Sequence, residues 1–165
     1  MVVAKTEAAH AAIAEAFEKR RVEKEYRALV HGAPDHDEMR IDLPLGREHG
    51  DAVRHAVRPE GRPATTDVKV LERFGTAAAY VRCRPLTGRT HQIRVHLAAK
   101  GHPILGDALY ERGRHRPVEV PRLMLHASRL VFPHPGTGEP FAVESPLPAD
   151  FAAALAALRA PPAAT

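Results

Sequence analysis

Arg84-Pro-Leu-Thr-Gly-Arg-Thr-His-Gln-Ile-Arg-Val-His-Leu-Ala-Ala-Lys-Gly-His-Pro-Ile-Leu-Gly-Asp107 reads as a strand end, a tight turn, a short helix and a second turn. Pro85 and Gly88 punctuate the entry. Thr90 is a candidate N-cap, its hydroxyl accepting from an amide of the first turn. Ile93 and Leu97 lie four apart and can face a core. Gly101 can take the left-handed residue that ends a helix, and Pro103 stops continuation. The polar load needs a different explanation. Arg89, His91, Gln92, Arg94 and His96 crowd one short helix. First turns favour acids, and cations there point to a negative partner close by.

At 165 residues the chain suits one domain with a sizeable core. With 44% hydrophobic and 27% charged residues, it is globular in composition. The formal net charge is +4, carried by 19 Arg and 5 Lys against 20 acids. Arginine suits planar, bidentate contact with phosphates and base edges, so a polyanionic partner is plausible. The lone Cys83 cannot form an internal disulfide, which fits a reducing compartment. No apolar run is long enough for a membrane span and no signal segment opens the chain, so the cytoplasm is expected.

Working outward, Met1 to Ala4 reads as the end of a buried strand. Thr6 can cap a helix over about 7–20, with Ala9, Ile13 and Phe17 on one stripe. The basic cluster Arg20, Arg21 and Lys24 precedes a strand over 25–30, in which Tyr26 shares a face with Ala28 and Val30. Residues 33–62 are rich in turns and charge, and Asp42 to Gly46 suits an edge segment because Pro44 cannot donate to a central ladder. Residues 64–71 and 77–84 alternate as two strands. The run Arg112, Arg114, His115 and Arg116 reads as a basic loop. Leu123 to Phe132 and Phe141 to Val143 suit closing strands, and Phe151, Leu155 and Leu158 mark a terminal helix. His36 and His55 lack ligand spacing with nearby acids, so no metal site is expected.

Arg84 to Tyr110 resembles the RluA-type pseudouridine synthases. The similarity is carried by Leu86-Thr-Gly-Arg-Thr-His-Gln-Ile-Arg-Val-His96 and by Gly101-His-Pro-Ile-Leu-Gly-Asp107 with Tyr110. Lys24-Glu-Tyr-Arg-Ala28 is similar to the family's Lys-x-Tyr-x-Ala strand. Gly61 to Thr65, Leu123 to Ala127 and Phe141 to Pro146 also match, so the likeness spans roughly residues 1 to 151. It implies an α/β (α+β) fold, a mixed, mostly antiparallel sheet flanked by helices, over residues 1–159, with a disordered tail over 160–165. It implies isomerisation of uridines in structured ribosomal or transfer RNA, without cofactor or metal, by a monomer.

The resemblance also assigns roles. The target uridine is flipped from its stack and attacked by an Asp carboxylate. A guanidinium nearby keeps that carboxylate ionised, a role that falls to Arg94. Tyr26 would stack on the flipped base, with a part in proton transfer at C5. Arg89, His91 and Gln92 would shape the pocket or contact the RNA backbone, and Lys24 and Arg21 would contact RNA. The family's nucleophilic segment, His-Arg-Leu-Asp-x-x-Thr-Ser-Gly before a Val-Val-Ala-Lys-Thr strand end, has no copy here, and the chain begins at that strand end. A piece of a longer enzyme, inactive alone, is therefore expected, with a non-catalytic RNA-binding remnant as the alternative. Arg94 should then be a cation without its partner, either solvated or holding a bound anion. Finding it clamped by an acid of this chain overturns that reading.

Overall fold

The strand over Glu23–His31 (β1) lies inside the main sheet and turns successive side chains to opposite faces. The computed structural model describes residues 2–51 and 53–160. A helix, Glu7–Glu18 (α1), precedes β1. After β1 come Glu38–Asp42 (β2), Leu45–Arg47 (β3), His55–Val57 (β4), Thr65–Phe74 (β5) and Ala78–Pro85 (β6). The helix Gln92–Ala99 (α2), the strands Leu125–Pro133 (β7) and Pro140–Glu144 (β8), and the helix Ala149–Arg159 (α3) complete it. Six strands form one sheet in the order β2-β5-β6-β1-β7-β8, and β3 and β4 form a separate ribbon. Every pairing among the described strands is antiparallel.

Residues paired directly across strands share a face. Val68, Cys83, Tyr26 and Ala127 form one such row. On this side Ile93 and Leu97 of α2 join Val68, Val81, Cys83 and Ala28 in the core. Farther along, Ile13 and Ala16 of α1 pack with Val22, Leu130 and Phe132. Lys24 and Tyr26 therefore lie between the region that α1 covers and the loop that leads into α2. On the reverse face α3 covers only one end, where Phe151 meets Tyr80 edge-on at 6.0 Å. Each strand contributes about half of its residues to each side, as a period of two requires.

The uncovered part of the reverse face carries charges that alternate across all six strands: Arg40, Asp67, Arg84, Glu25, Arg129 and Glu144. Arg40 meets Asp67 at 2.6 Å, Arg84 meets Glu25 at 2.9 Å and Arg129 meets Glu144 at 3.3 Å. Glu25 is buried beneath its arginines, with Arg27 at 2.9 Å as well. Opposite charges side by side stabilise a sheet that no helix screens.

Several sequence expectations hold. Thr6 accepts from the Ala9 amide at 3.2 Å, Gly101 is left-handed at φ 85, and Tyr26 shares its face with Ala28 and Val30. Three need correction. The N-cap of α2 is His91, not Thr90, and the amide of Arg89, two residues before that cap, donates to the side chain of Gln92 at 3.0 Å. The buried stripe of α1 runs through Ala16, which leaves Phe17 45% exposed. Val2 to Ala4 form no strand, and although Val2 packs against the α1 cluster, Val3 faces solvent. Met1 lies outside the described residues, as does the tail beyond Ala160. No described helix is long and apolar enough to cross a membrane.

Truncation of the fully buried Phe151 to Ala should cost about 3–5 kcal/mol in urea unfolding. The same change at the half-exposed Phe141, which meets the rings of Phe132 and His134 edge-on, should cost about 1 kcal/mol.

Candidate nucleic-acid interface

The turn from β6 into α2 is built around Gln92, which is 4% exposed. Its amide nitrogen donates to the Thr65 carbonyl at 2.9 Å and to Thr66 Oγ1 at 3.0 Å. Its oxygen accepts from Thr87 Oγ1 at 2.7 Å and from the Arg89 amide. Four partners use the hydrogen-bonding capacity of one carboxamide. The expected RNA contact at Gln92 is thus corrected: the side chain locks the turn to β5 from within.

His96, also fully buried, continues this network one helical turn on. Its Nε2 meets the Leu43 carbonyl at 3.0 Å, so the ring hydrogen sits there. Burial lowers its pKa, although the Leu43 bond opposes this. In the neutral ring Nδ1 accepts, so Thr66 Oγ1 donates to it at 2.9 Å and takes the Gln92 hydrogen in return.

Arg94 is held by Asp107. Nε donates to Oδ2 at 2.8 Å and Nη2 to Oδ1 at 2.7 Å. The guanidinium also lies 4.9 Å from the centre of the Tyr110 ring. Asp107 has no exposed side chain and additionally accepts from the amides of Leu109 and Tyr110. The reading of Arg94 as a cation without a partner is overturned. Its acid stands thirteen residues on, in the same motif, and a bidentate pair forms because the turn at Gly106 delivers the carboxylate to the flank of α2. The Asp107 bond raises the Arg94 pKa, against the effect of burial.

His91 adopts a left-handed backbone at φ 54 and places Nδ1 3.0 Å from the Tyr110 hydroxyl. That hydroxyl accepts from the His55 amide at 2.9 Å. Burial lowers the His91 pKa, helped by Arg94 and His55, so the ring is neutral at pH 7. His91 therefore joins the Tyr110 network through Nδ1 and remains part-exposed. Most of the polar load in the motif is thus directed inward.

Lys24, Tyr26, Arg89 and Arg21 remain. Tyr26 is half-buried, and burial raises its phenol pKa. It borders an apolar hollow of about 130 Å³ shared with Val2, Ala127, Leu130 and Val143. Lys24 lies two residues away on the same face, and its ammonium donates to the Thr87 carbonyl at 3.3 Å. Burial lowers its pKa, and among the described residues it has no carboxylate partner. Arg89 donates through Nε to the Pro63 carbonyl at 3.1 Å and is likewise free of any described carboxylate. Arg21 pairs weakly with Glu15 at 3.4 Å on the surface of α1. The structure thus brings Lys24 and Tyr26 together beside the Thr87–Gly88 turn, with Arg89 next in the chain.

Sequence reasoning missed Glu25 and Glu111. Glu111 accepts from Arg116, from the Gly106 amide and from His31 at 2.7 Å within the fold. Burial would raise its carboxyl, but Arg116, His31 and the Gly106 amide outweigh that and hold it at about 2.

These geometries accompany a sequence match. The pattern describing RNA pseudouridylate synthases matches residues 1–99. The chain belongs to the RNA pseudouridylate synthase family. It is 44% identical over 165 residues to ribosomal large subunit pseudouridine synthase D of Nitrosomonas europaea, covering 96% of this chain and 47% of that protein. It is 40% identical to the uncharacterized RNA pseudouridine synthase YlyB of Bacillus subtilis, covering 52% of it. The chain spans about half the length of these curated relatives. Among solved structures, Human RNA Pseudouridylate Synthase Domain Containing 1 superposes with a TM-score of 0.77 at 32% identity, covering 97% of this chain and 75% of that one.

Replacing Asp107 by Ala leaves the Arg94 guanidinium partly buried and unpaired, and should cost about 3–5 kcal/mol in urea unfolding. Glu111 makes a pH prediction. Its folded pKa lies below its ordinary 4.5, so its contribution is full above pH 4.5 and is lost as pH falls toward 2. The urea midpoint should drop through that window, and Glu111→Gln should flatten the drop.

Proposed function

We propose that this chain supplies the RNA-holding and base-holding part of a pseudouridine synthase that isomerises specific uridines of ribosomal or transfer RNA. Family membership supports the reaction class. The observation that carries the location is the pairing of an unneutralised Lys24 with a half-exposed Tyr26 on one sheet face, beside an open turn. RNA lies across this face, with its backbone on Lys24 and Arg89 and on Arg21 at the end of α1. The target uridine leaves its stack and rests on the Tyr26 ring.

A carboxylate then attacks C1′ of the ribose and displaces the uracil at N1; the uracil turns over, its C5 bonds to C1′ and expels the carboxylate, and loss of the C5 proton is balanced by proton uptake at N1. Burial keeps the Tyr26 phenol protonated, which suits stacking and hydrogen-bond donation better than action as a base. Arg94 acts here as a preorganised donor. Asp107 occupies Nε and one Nη2 hydrogen, which leaves three of the five guanidinium N–H groups for a second anion. The attacking carboxylate belongs to a segment outside these 165 residues, so the chain alone binds RNA without turnover. The reaction calls for no metal or cofactor, and the protein works as a monomer in the cytoplasm.

The test uses the purified chain with structured ribosomal and transfer RNA transcripts. Salt-sensitive binding without pseudouridine is expected. Tyr26→Ala should weaken binding by about 1–3 kcal/mol through lost stacking. Pseudouridine formed by the chain alone would refute the external carboxylate. Binding indifferent to both Tyr26→Ala and Lys24→Gln would refute the location.

A further inference from the structure

A second basic surface lies beyond the Tyr110 network, apart from the Lys24–Tyr26 face. After Tyr110 the chain turns sharply, with Arg112 at φ 50 and Gly113 at φ 70. This turn closes an open cleft of about 550 Å³ whose lining includes Arg54, Arg112, Arg114, His115, Arg116 and Glu119. Arg112 and Arg114 also border a second hollow of about 400 Å³, which reaches Val95, Ala98 and Ala99 of α2 and the β4 ribbon. The two arginines thus stand on a ridge between two concavities.

The charges here are of two kinds. Arg116 is neutralised by Glu111, and Asp107 by Arg94. Arg54 donates its guanidinium to the Leu109 carbonyl and lies 5.8 Å from the Tyr110 ring centre, while its backbone amide donates to the Asp51 carboxylate at 2.9 Å; its guanidinium forms no described ion pair. Arg112 and Arg114 are exposed and have no carboxylate partner among the described residues. Glu119 is the one acid of the cleft outside a described ion pair. Three guanidinium groups outside any described ion pair, those of Arg54, Arg112 and Arg114, therefore line the ridge and cleft beside Glu119.

We propose that this ridge is a second docking site for the RNA phosphodiester backbone, with Arg112 and Arg114 as its contacts and Arg54 as its fixed base. The inference rests on RNA as the partner and adds a place where it is held. Both hollows are open to solvent rather than enclosed around a small ligand. Guanidinium forks on a ridge match successive phosphate groups of an extended chain. The same RNA would straddle α2, its target nucleotide on the sheet face and a flanking strand on the ridge. Such contacts position the RNA without reading its bases.

The experiment measures binding of a labelled structured ribosomal RNA fragment to the full chain between about 50 and 200 mM salt, where phosphate contacts govern affinity. The variant is Arg112→Gln/Arg114→Gln, with folding checked by circular dichroism. A control with equal loss of charge, Arg40→Gln/Arg159→Gln, sits on the reverse face of the sheet and on α3. Each phosphate contact contributes about 0.7–0.9 to the slope of log K against log salt, so the ridge variant should lower the slope by about 1.5 and weaken binding several-fold at the lowest salt. The control should leave the slope close to that of the parent. Parent-like slope and affinity in the ridge variant overturn this inference while RNA binding stands. Equal losses in ridge and control variants also overturn it, since net charge alone then accounts for the effect. If the parent chain binds no RNA at any salt, the functional reading falls and this inference falls with it.

Discussion

The Arg94–Asp107 ion pair joins the two halves of the decisive motif. One partner is on α2 and the other at the end of a segment that runs beside β1, where Leu105 exchanges backbone bonds with Leu29 and Met124. The pair thus sets the distance between helix and sheet on one flank, as Gln92 and His96 do on the other. Gly106 is needed for this. At φ 77 it is left-handed, and a side-chain carbon there would lie 2.1 Å from the Arg122 carbonyl oxygen. No other residue would let the chain pass so close and still aim Asp107 at Arg94.

From that constraint follows a division of labour among polar groups. The residues after Gly88 that look like an RNA-binding string are mostly spent on internal bonds, since a short helix on a sheet must satisfy its buried polar groups. What remains free is Lys24 on β1, outside the string, and Arg89 at its very start on the turn. The reverse face solves a different problem. With α3 covering only one end, the rest is held by the alternating charges around Glu25 rather than by apolar burial.

Much of the architecture was legible in the sequence. The strands around Tyr26, Val68 and Val81 follow from alternation, and the end of α2 follows from Gly101. Thr90 misled because a threonine before a helix usually caps it, whereas here the Gln92 side chain bonds the Arg89 amide. The partner of Arg94 was within reach, because Asp107 is in the quoted motif, but only the turn at Gly106 shows that the two meet. Gln92 and His96 lie four apart and so share a helix face, and this pattern could have signalled an inward network with Thr65 and Thr66. The charge ladder was not legible, because it depends on knowing which strand lies beside which.

Neighbouring residues of β1 have opposite duties. Lys24 and Tyr26 look toward the helices, and Glu25 and Arg27 toward the ladder. Losing or gaining a single codon within this strand would exchange the two sets, sending a carboxylate under the helices and an aromatic ring among the arginines. Both surfaces would fail at once. The central strand should therefore accept conservative replacement far more readily than any change in length.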